Sequence, residues 1–392
     1  MPARRFSLQL SLFNIFLFLG MGVQLPFLPL WLKYKGLEAG EIGIVIAAMT
    51  AIRVVAAPLG AFIADRYGNR RRVIAVSALV SFAGYVVMAN VEGLWTILAA
   101  ALMASAFFAP VAPLAEGMAV EGSAAHGLIY GRIRLWASLS FLLGSLISGA
   151  LLETVPIGSV IHLIAGAQGL LAVAAALLLP VDPARHRHKE SRLRAGDAVT
   201  LAATGSFALF IAAVSLGQAS HGLLYSFGSV HWDQLGYGKL AIGILWATAV
   251  MTEVTIFAFS NRPVARFGAA TLIATGIAGG LLRWTIMGFD PPGWLLFPVQ
   301  ALHAASFALT HLGTMHFIQD RVPAGLRNTA QGIYAAASGG IVMSSVMWLS
   351  GPLYGAYGGA AYFFMAGISA VALVLALRLR RLSPIEPAEA AP

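Results

Sequence analysis

The chain has 392 residues, of which 59% are hydrophobic and only 10% are charged, and its mean hydropathy is +0.81. A soluble protein of this length could not bury so much apolar surface, so the composition predicts that the bilayer is its solvent. The net charge of +9 does not indicate nucleic-acid binding, because the basic residues are spread over short loops between apolar stretches.

Apolar stretches of about 20 residues, each long enough to cross ~30 Å of hydrocarbon as a helix, recur along the whole chain. The predicted spans are residues 7–34, 40–64, 73–90, 94–119, 131–153, 157–180, 198–227, 239–260, 269–289, 293–317, 329–350 and 358–380. The first apolar run is too long for the core of a signal peptide and is interpreted as the first span. The pattern predicts an all-α membrane protein with twelve transmembrane helices.

A polar, basic segment divides the spans into two sets of six. We predict an N-terminal bundle at 1–180, a central loop at 181–197, a C-terminal bundle at 198–381 and a tail at 382–392. Of the 25 Lys and Arg residues, twenty fall on one side of the membrane and three on the other. By the positive-inside rule, both termini and the central loop are expected in the cytoplasm.

The loop between the second and third spans reads Gly60-Ala-Phe-Ile-Ala-Asp65-Arg66-Tyr-Gly68-Asn-Arg70-Arg71-Arg72, and residues 261–268 look like a decayed copy. It resembles the signature of the major facilitator superfamily, which implies two pseudo-symmetric six-helix bundles and a conformational latch. The latch residues would be Gly60, Asp65, Arg66, Gly68, Arg70 and Arg71. Gly60 would permit close helix approach, and Asp65 would accept hydrogen bonds from Arg70 or Arg71 or cap a neighbouring helix. The alternative is a solvated turn whose arginines only set the topology.

Glu116 on the fourth span and Gly131-Arg132-Ile-Arg134 on the fifth resemble the lactose-permease branch of that superfamily. The resemblance implies that Glu116 and Arg134 meet as an ion pair at a substrate site, although Glu116 could be only a structural partner. Arg132 is interpreted as a boundary residue that reaches the interface. Phe141 stands where the branch has a tryptophan that stacks on a sugar; it favours an aromatic or apolar ligand, or it is ordinary packing.

Glu253, Arg283 and His303 are ionisable residues inside the eighth, ninth and tenth spans. A charge within the hydrocarbon costs roughly 2.5–3.5 kcal/mol on insertion scales, so such residues commonly mark an ion or substrate path. The trio resembles the proton-coupling residues of the lactose-permease branch. The resemblance implies that Arg283 compensates the charge of Glu253 and moves towards and away from it to load and release a proton. The alternative is a static ion pair that only holds the spans together. Because Ser306 replaces the second glutamate of that branch, the proton would reside on Glu253, or His303 or His311 would share it.

The seventh span contains Gln218-Ala-Ser-His221-Gly-Leu-Leu-Tyr225, which resembles the phenylpropionate:proton symporter subgroup. Gln218, His221 and Tyr225 would donate or accept hydrogen bonds with a small substrate, or they join helices. Arg53 is the third arginine within the predicted spans, where only two clear acids occur. This excess of positive charge would attract a carboxylate. The competing interpretation is that the Arg53 side chain reaches the membrane interface.

These observations predict a proton-coupled importer of a small organic solute, such as 3-phenylpropionate, that works by alternating access in a bacterial-type inner membrane. Uptake of nucleosides, sugars, siderophores or peptidoglycan fragments and drug efflux remain alternatives. An enzyme is not expected, because the chain has no cysteine and its histidines form no metal or nucleophile constellation. A transport-inactive sensor would not retain costly buried charges, and ATP is not expected because no Walker motif occurs. We expect a monomer with no cofactor except the coupling proton, no metal site, and lipid and substrate as partners.

Overall fold

The computed structural model describes residues 3–180, 195–258 and 267–379, which are helical almost throughout. The first six spans are formed by Ala3–Tyr34, Ala39–Ala51 with Arg53–Tyr67, Arg70–Ala89, Leu94–Phe108 with Val111–His126, Tyr130–Leu151, and Val160–Leu177. The short helix Ala195–Ala203 follows. The last six are formed by Gly205–Ala219 with Gly222–Gln234, Lys239–Ala258, Ala269–Met287, Gly293–Ala301 with Thr310–Arg321, Arg327–Tyr334 with Met343–Tyr357, and Tyr362–Leu379.

Within the described ranges, eleven helical stretches are long and apolar enough to cross a membrane. The last of them, Ala324–Leu379, has 56 residues and contains both the predicted eleventh and twelfth spans. The two spans are separated at Gly358, where φ is +55°. Glycine adopts this left-handed backbone without strain, whereas a residue with a side chain would be strained there. The predicted all-α architecture with twelve spans is therefore confirmed.

Several helices extend beyond their predicted ends. The fourth span continues to His126 and the seventh to Gln234, where the apolar pattern has already stopped. Each helix is followed closely by a glycine in the left-handed region, Gly127 with a φ of +63° and Gly236 with a φ of +87°. These ends are set by helix-terminating turns and not by the edge of the apolar pattern.

Four spans are interrupted near functional candidates. The second breaks at Ile52, directly before Arg53, and the seventh breaks at Ser220 and His221. The tenth changes to a π-helix at Ala304–Leu309, directly after His303. The fourth breaks at Ala109–Pro110. π-Turns and helix breaks redirect side chains and often occur at functional sites. The interruptions therefore mark these positions as better functional candidates than uninterrupted, lipid-facing turns.

The chain forms two compact units. The first contains Met1–His188 and Tyr225–Ala247, and the second contains Lys189–Leu224 and Thr248–Pro392. This grouping follows packing and not the order of the six-span halves, so the predicted domain boundaries stay a prediction.

In the first unit, the beginning of the eighth span packs tightly on the end of the fifth. A Cβ atom on Gly149 would lie 2.7 Å from the backbone oxygen of Lys239, so this crossing admits no side chain. The Glu153 carboxylate accepts a hydrogen bond of 2.9 Å from the backbone nitrogen of Leu240. Glu153 therefore caps a helix whose preceding residue, Gly238, has no side chain to do so.

In the second unit, glycines bring the ninth span against the tenth. A Cβ atom on Gly279 would lie 2.7 Å from Cβ of Ala305, and one on Gly313 would lie 2.8 Å from the backbone oxygen of Ala269. Larger residues would push the helices apart. This close approach lets Arg283 on the ninth span reach the polar side chains of the tenth.

Candidate transport site

Arg283 is the centre of a polar network in the second unit and is fully buried. Its Nη2 donates to Gln300 Oε1 at 2.6 Å, and its Nη1 lies 3.1 Å from His303 Nδ1 and 3.3 Å from Ser306 Oγ. The guanidinium carbon lies 4.6 Å from the ring centroid of Trp284. The charge is thus surrounded by acceptors and one aromatic face, as a buried arginine requires.

His303 connects Arg283 to Glu253. Its Nε2 lies 3.3 Å from Glu253 Oε2, and the two side chains are 8% and 22% exposed. A guanidinium can only donate, so His303 Nδ1 accepts and Nε2 carries the hydrogen that faces Glu253. The structure therefore brings together the three residues that the sequence selected for proton coupling, in the order Arg283, His303, Glu253.

A second group of side chains continues from Ser306 to the break in the seventh span. His221 Nε2 lies 3.0 Å from Ser306 Oγ, and His221 Nδ1 lies 2.9 Å from the backbone oxygen of Gln218. His221 is fully buried, with its ring edge-on to Trp284 at 5.0 Å. In this structure His221 and Gln218 join helices within the second unit, which was the alternative to a cavity-lining role.

His311 lies on the same face of the tenth span as His303, with Phe307 between them. The His303 and Phe307 rings stack at 5.1 Å, and the Phe307 and His311 rings stack at 6.1 Å. His311 Nδ1 lies 3.4 Å from the Tyr334 hydroxyl, and Glu253 acts on His311 electrostatically. The part of His311 in proton movement stays a prediction.

In the first unit, Glu116 and Arg134 are half-buried and interact electrostatically. Within the described ranges no ion pair joins them directly, so the expected contact is looser than a salt bridge. Arg134 lies 4.8 Å from the Phe18 ring centroid, and its buried Nη1 has no hydrogen-bond partner among the described residues. A cation with an unused donor beside an aromatic ring is suited to a carboxylate on an aromatic ligand.

The remaining predicted binding residues lie in the first unit. Phe141 is buried, and its backbone packs against Gly22 of the first span. Tyr225 stacks on Trp246 at 6.0 Å. Arg53 is exposed and interacts electrostatically with the buried Tyr85. None of these contacts assigns a ligand, so their binding roles stay predictions.

The predicted latch has a different partner from the one expected. Arg70 forms a two-pronged ion pair with Glu121 of the fourth span, at 2.9 Å and 3.0 Å, and Arg71 donates to the backbone oxygen of Ala176 at 2.6 Å. Asp65 is exposed and accepts from neither within the described residues, so the expected Asp65–Arg70 or Asp65–Arg71 hydrogen bond is wrong. The cause is the turn at Gly68, with a φ of +60°, after which a new helix directs Arg70 towards the fourth span.

Other latch residues agree better with expectation. Gly60 packs against Pro110 so closely that a Cβ atom would overlap its ring, which is the close helix approach predicted there. Arg66 is exposed at the helix end. The conformational role of the whole motif stays a prediction. Residues 261–266 of its decayed copy lie outside the described residues.

We expect the Arg70–Glu121 pair to contribute a coupling energy of about 1 kcal/mol, because the pair is two-pronged and partly buried. A double-mutant cycle with Arg70→Ala and Glu121→Ala, measured by unfolding in detergent, gives this value. Arg72→Ala is the matched control, since Arg72 is exposed on the same turn. Additive effects of the two alanines would show that the pair contributes nothing.

Sequence reasoning missed three members of these networks. Gln300 accepts from Arg283, Trp284 covers the guanidinium, and Glu121 pairs with Arg70. Gln300 stands three residues before His303, about one helical turn away, so helical spacing could have identified it. Glu121 stands five residues after Glu116, which is not a same-face spacing, so helical spacing could not have identified it.

Helices that form the twelve predicted spans and an ionisable network buried inside them are typical of a membrane transporter. The MFS_1 like family model matches residues 7–366, so the chain belongs to this family of major facilitator transporters. The resemblance to that superfamily, drawn from the loop and span motifs, is confirmed.

Two curated relatives match almost the whole chain. It is 30% identical over 365 residues to the "Probable 3-phenylpropionic acid transporter" of Escherichia coli (strain K12), covering 91% of this chain and 94% of the relative. It is 25% identical over 378 residues to the maltose permease of Geobacillus stearothermophilus, covering 94% and 93%. Both relatives are named as transporters of bacterial origin.

Two solved structures share the fold. A point mutant of the nucleoside transporter NupG has a TM-score of 0.86 at 18% identity, covering 95% of this chain and 99% of that one. The D-xylose-proton symporter has a TM-score of 0.70 at 14% identity, covering 95% and 97%. At these identities the likeness concerns the fold alone.

Proposed function

We propose that the protein is a proton-coupled symporter that imports a small aromatic monocarboxylate, such as 3-phenylpropionate, across a bacterial inner membrane with both termini in the cytoplasm. The Arg283–His303–Glu253 series supports the coupling most directly. It contains one fixed cation, one imidazole that can carry a proton and one acid, joined by distances of 3.1 Å and 3.3 Å. Such a series can accept and release one proton without leaving a buried charge uncompensated.

The substrate class rests on the first unit. Arg134 has an unused buried donor, and the nearby aromatic ring is that of Phe18. A guanidinium binds a carboxylate through paired hydrogen bonds, and aromatic side chains favour an aromatic body. The name of the Escherichia coli relative agrees with a ligand of this kind.

We expect an imposed proton gradient to drive accumulation of labelled 3-phenylpropionate into proteoliposomes, and a protonophore to abolish it. The amide analogue should neither accumulate nor compete, because it lacks the charge that Arg134 would bind. Equal uptake of acid and amide would remove the carboxylate from the proposal. Accumulation that survives the protonophore would remove proton coupling.

Arg134→Gln provides the residue-level test in the same assay, with Arg132→Gln as the matched control. Arg132 lies two residues away and is exposed, whereas Arg134 is half-buried. We expect Arg134→Gln to raise the half-saturating concentration of the acid at least about tenfold, the effect of losing one charge-assisted contact. Arg132→Gln should behave like the wild type, and an equal loss in both variants would contradict a specific role for Arg134.

A further inference from the structure

Two hydrogen-bonded branches begin at the same nitrogen, Nη1 of Arg283. The first, which we call the coupling branch, contains His303 and Glu253. The second, which we call the neutral branch, contains Ser306 and His221 and ends at the backbone oxygen of Gln218. Only the coupling branch contains an acid.

The partners fix the direction of every hydrogen bond in the neutral branch. The Gln218 carbonyl can only accept, so His221 Nδ1 carries the hydrogen and His221 Nε2 accepts. The Ser306 hydroxyl therefore donates to His221, and its oxygen accepts from Arg283. The neutral branch thus satisfies one Arg283 hydrogen without any group that needs to be ionised.

The coupling branch cannot hold Arg283 in every protonation state. His303 Nδ1 accepts from Arg283 at 3.1 Å only while that nitrogen has no hydrogen. When a proton from Glu253 makes His303 an imidazolium, both ring nitrogens are donors, and two cations face each other. Arg283 must then leave Nδ1, and it already contacts two other acceptors in the second unit, Ser306 at 3.3 Å and Gln300 at 2.6 Å.

We propose that Ser306 and His221 are positioning residues that hold Arg283 while His303 carries the transported proton. This inference rests on the proposed coupling role of His303 and Glu253. The neutral branch then performs a task that does not require a second acid at position 306. Arg283 exchanges one acceptor for another within the network, and it does not need to swing out of its buried site.

Removing the neutral branch should weaken proton binding. Without Ser306, Nη1 keeps His303 as an acceptor in the unprotonated state, but in the protonated state it loses both His303 and Ser306. The protonated state is therefore destabilised more. The titratable and charged groups around the two branches are His221, Glu253, Arg283 and His303, with His311 and Tyr334 beyond Phe307 and Tyr362 stacked on Trp284.

The experiment measures proton uptake by the detergent-solubilised protein during acidification, with an indicator dye. Subtracting the curve of Glu253→Gln isolates the proton uptake that depends on Glu253. We expect Ser306→Ala to lower the midpoint of this titration by about one pH unit, a tenfold loss of proton affinity and the size expected for one hydrogen bond from a charged donor. Ser306→Thr keeps the hydroxyl and should retain the wild-type midpoint.

His221→Phe keeps a ring edge-on to Trp284 but removes both nitrogens, so it should shift the midpoint in the same direction. An unchanged midpoint in Ser306→Ala, or an equal shift in Ser306→Thr, would overturn the inference. Uptake is measured in the same variants. A shifted midpoint without gradient-driven uptake supports the neutral branch and refutes the transport proposal, whereas coupled uptake with an unshifted midpoint refutes the neutral branch alone.

Discussion

Arg283→Ala is expected to abolish gradient-driven uptake and to lower the free energy of unfolding by about 3 kcal/mol, the range found when one member of a buried charged network is removed. The substitution removes the fully buried cation and leaves the acceptors on Gln300, His303 and Ser306 without their donor. It also removes the positive charge that is expected to compensate Glu253. Unfolding in detergent gives the stability, and proteoliposome uptake gives the activity.

The neighbour Leu282 offers a matched control, because its side chain is 53% exposed whereas Arg283 is fully buried. Leu282→Ala should leave both measurements close to the wild type. Combining Arg283→Ala with Glu253→Gln removes both charges, so it should recover part of the lost stability without restoring coupled uptake. Wild-type uptake by Arg283→Ala would show that this cation has no part in transport.

The spans could be predicted because the bilayer demands about 20 consecutive apolar residues for each helix, and twelve such stretches are visible in the sequence. Their breaks could not be predicted from hydropathy. His221 and His303 stand at interruptions of helices that remain apolar on both sides, so the average hydropathy hardly changes there. The breaks depend on packing, such as the glycine contacts between the ninth and tenth spans.

The charged residues of the site could be predicted because a charge within an apolar transmembrane helix is energetically costly and is easily recognised in the sequence. Arg283, His303 and Glu253 were found in this way, and the structure places them in contact. Neutral polar residues carry no such contrast. Ser306 was noticed only as the absence of an acid, yet its hydroxyl joins Arg283 to His221.

The contacts between the site residues were predicted less well than the residues themselves. The loop motif predicted that Asp65 accepts from Arg70 or Arg71 or caps a neighbouring helix, but Arg70 donates to Glu121, 51 residues away. Which side chains meet depends on the rotation of each helix about its axis and on the turn at Gly68, and a hydropathy pattern contains neither. For the same reason the looser spacing of Glu116 and Arg134 could not be foreseen.

Glu253→Gln is expected to remove accumulation completely while substrate exchange continues. A glutamine oxygen can still accept from His303 Nε2, so the network persists and only the titration is lost. With a gradient of about two pH units, a one-proton symporter can accumulate its substrate up to ~100-fold, because each tenfold ratio corresponds to about 1.4 kcal/mol. The variant should bring labelled substrate only to equal concentrations on both sides.

Counterflow of unlabelled against labelled substrate, without any gradient, measures the exchange that should remain. Glu92→Gln is the control, because Glu92 is a largely exposed acid outside the spans and should accumulate substrate like the wild type. Loss of both accumulation and counterflow would mean that Glu253 is needed for binding or folding. Accumulation by Glu253→Gln would show that coupling needs no acid at position 253, and His311→Gln would then test whether His311 or His303 takes the proton, because His311 lies beside Tyr334 and His303 beside Arg283.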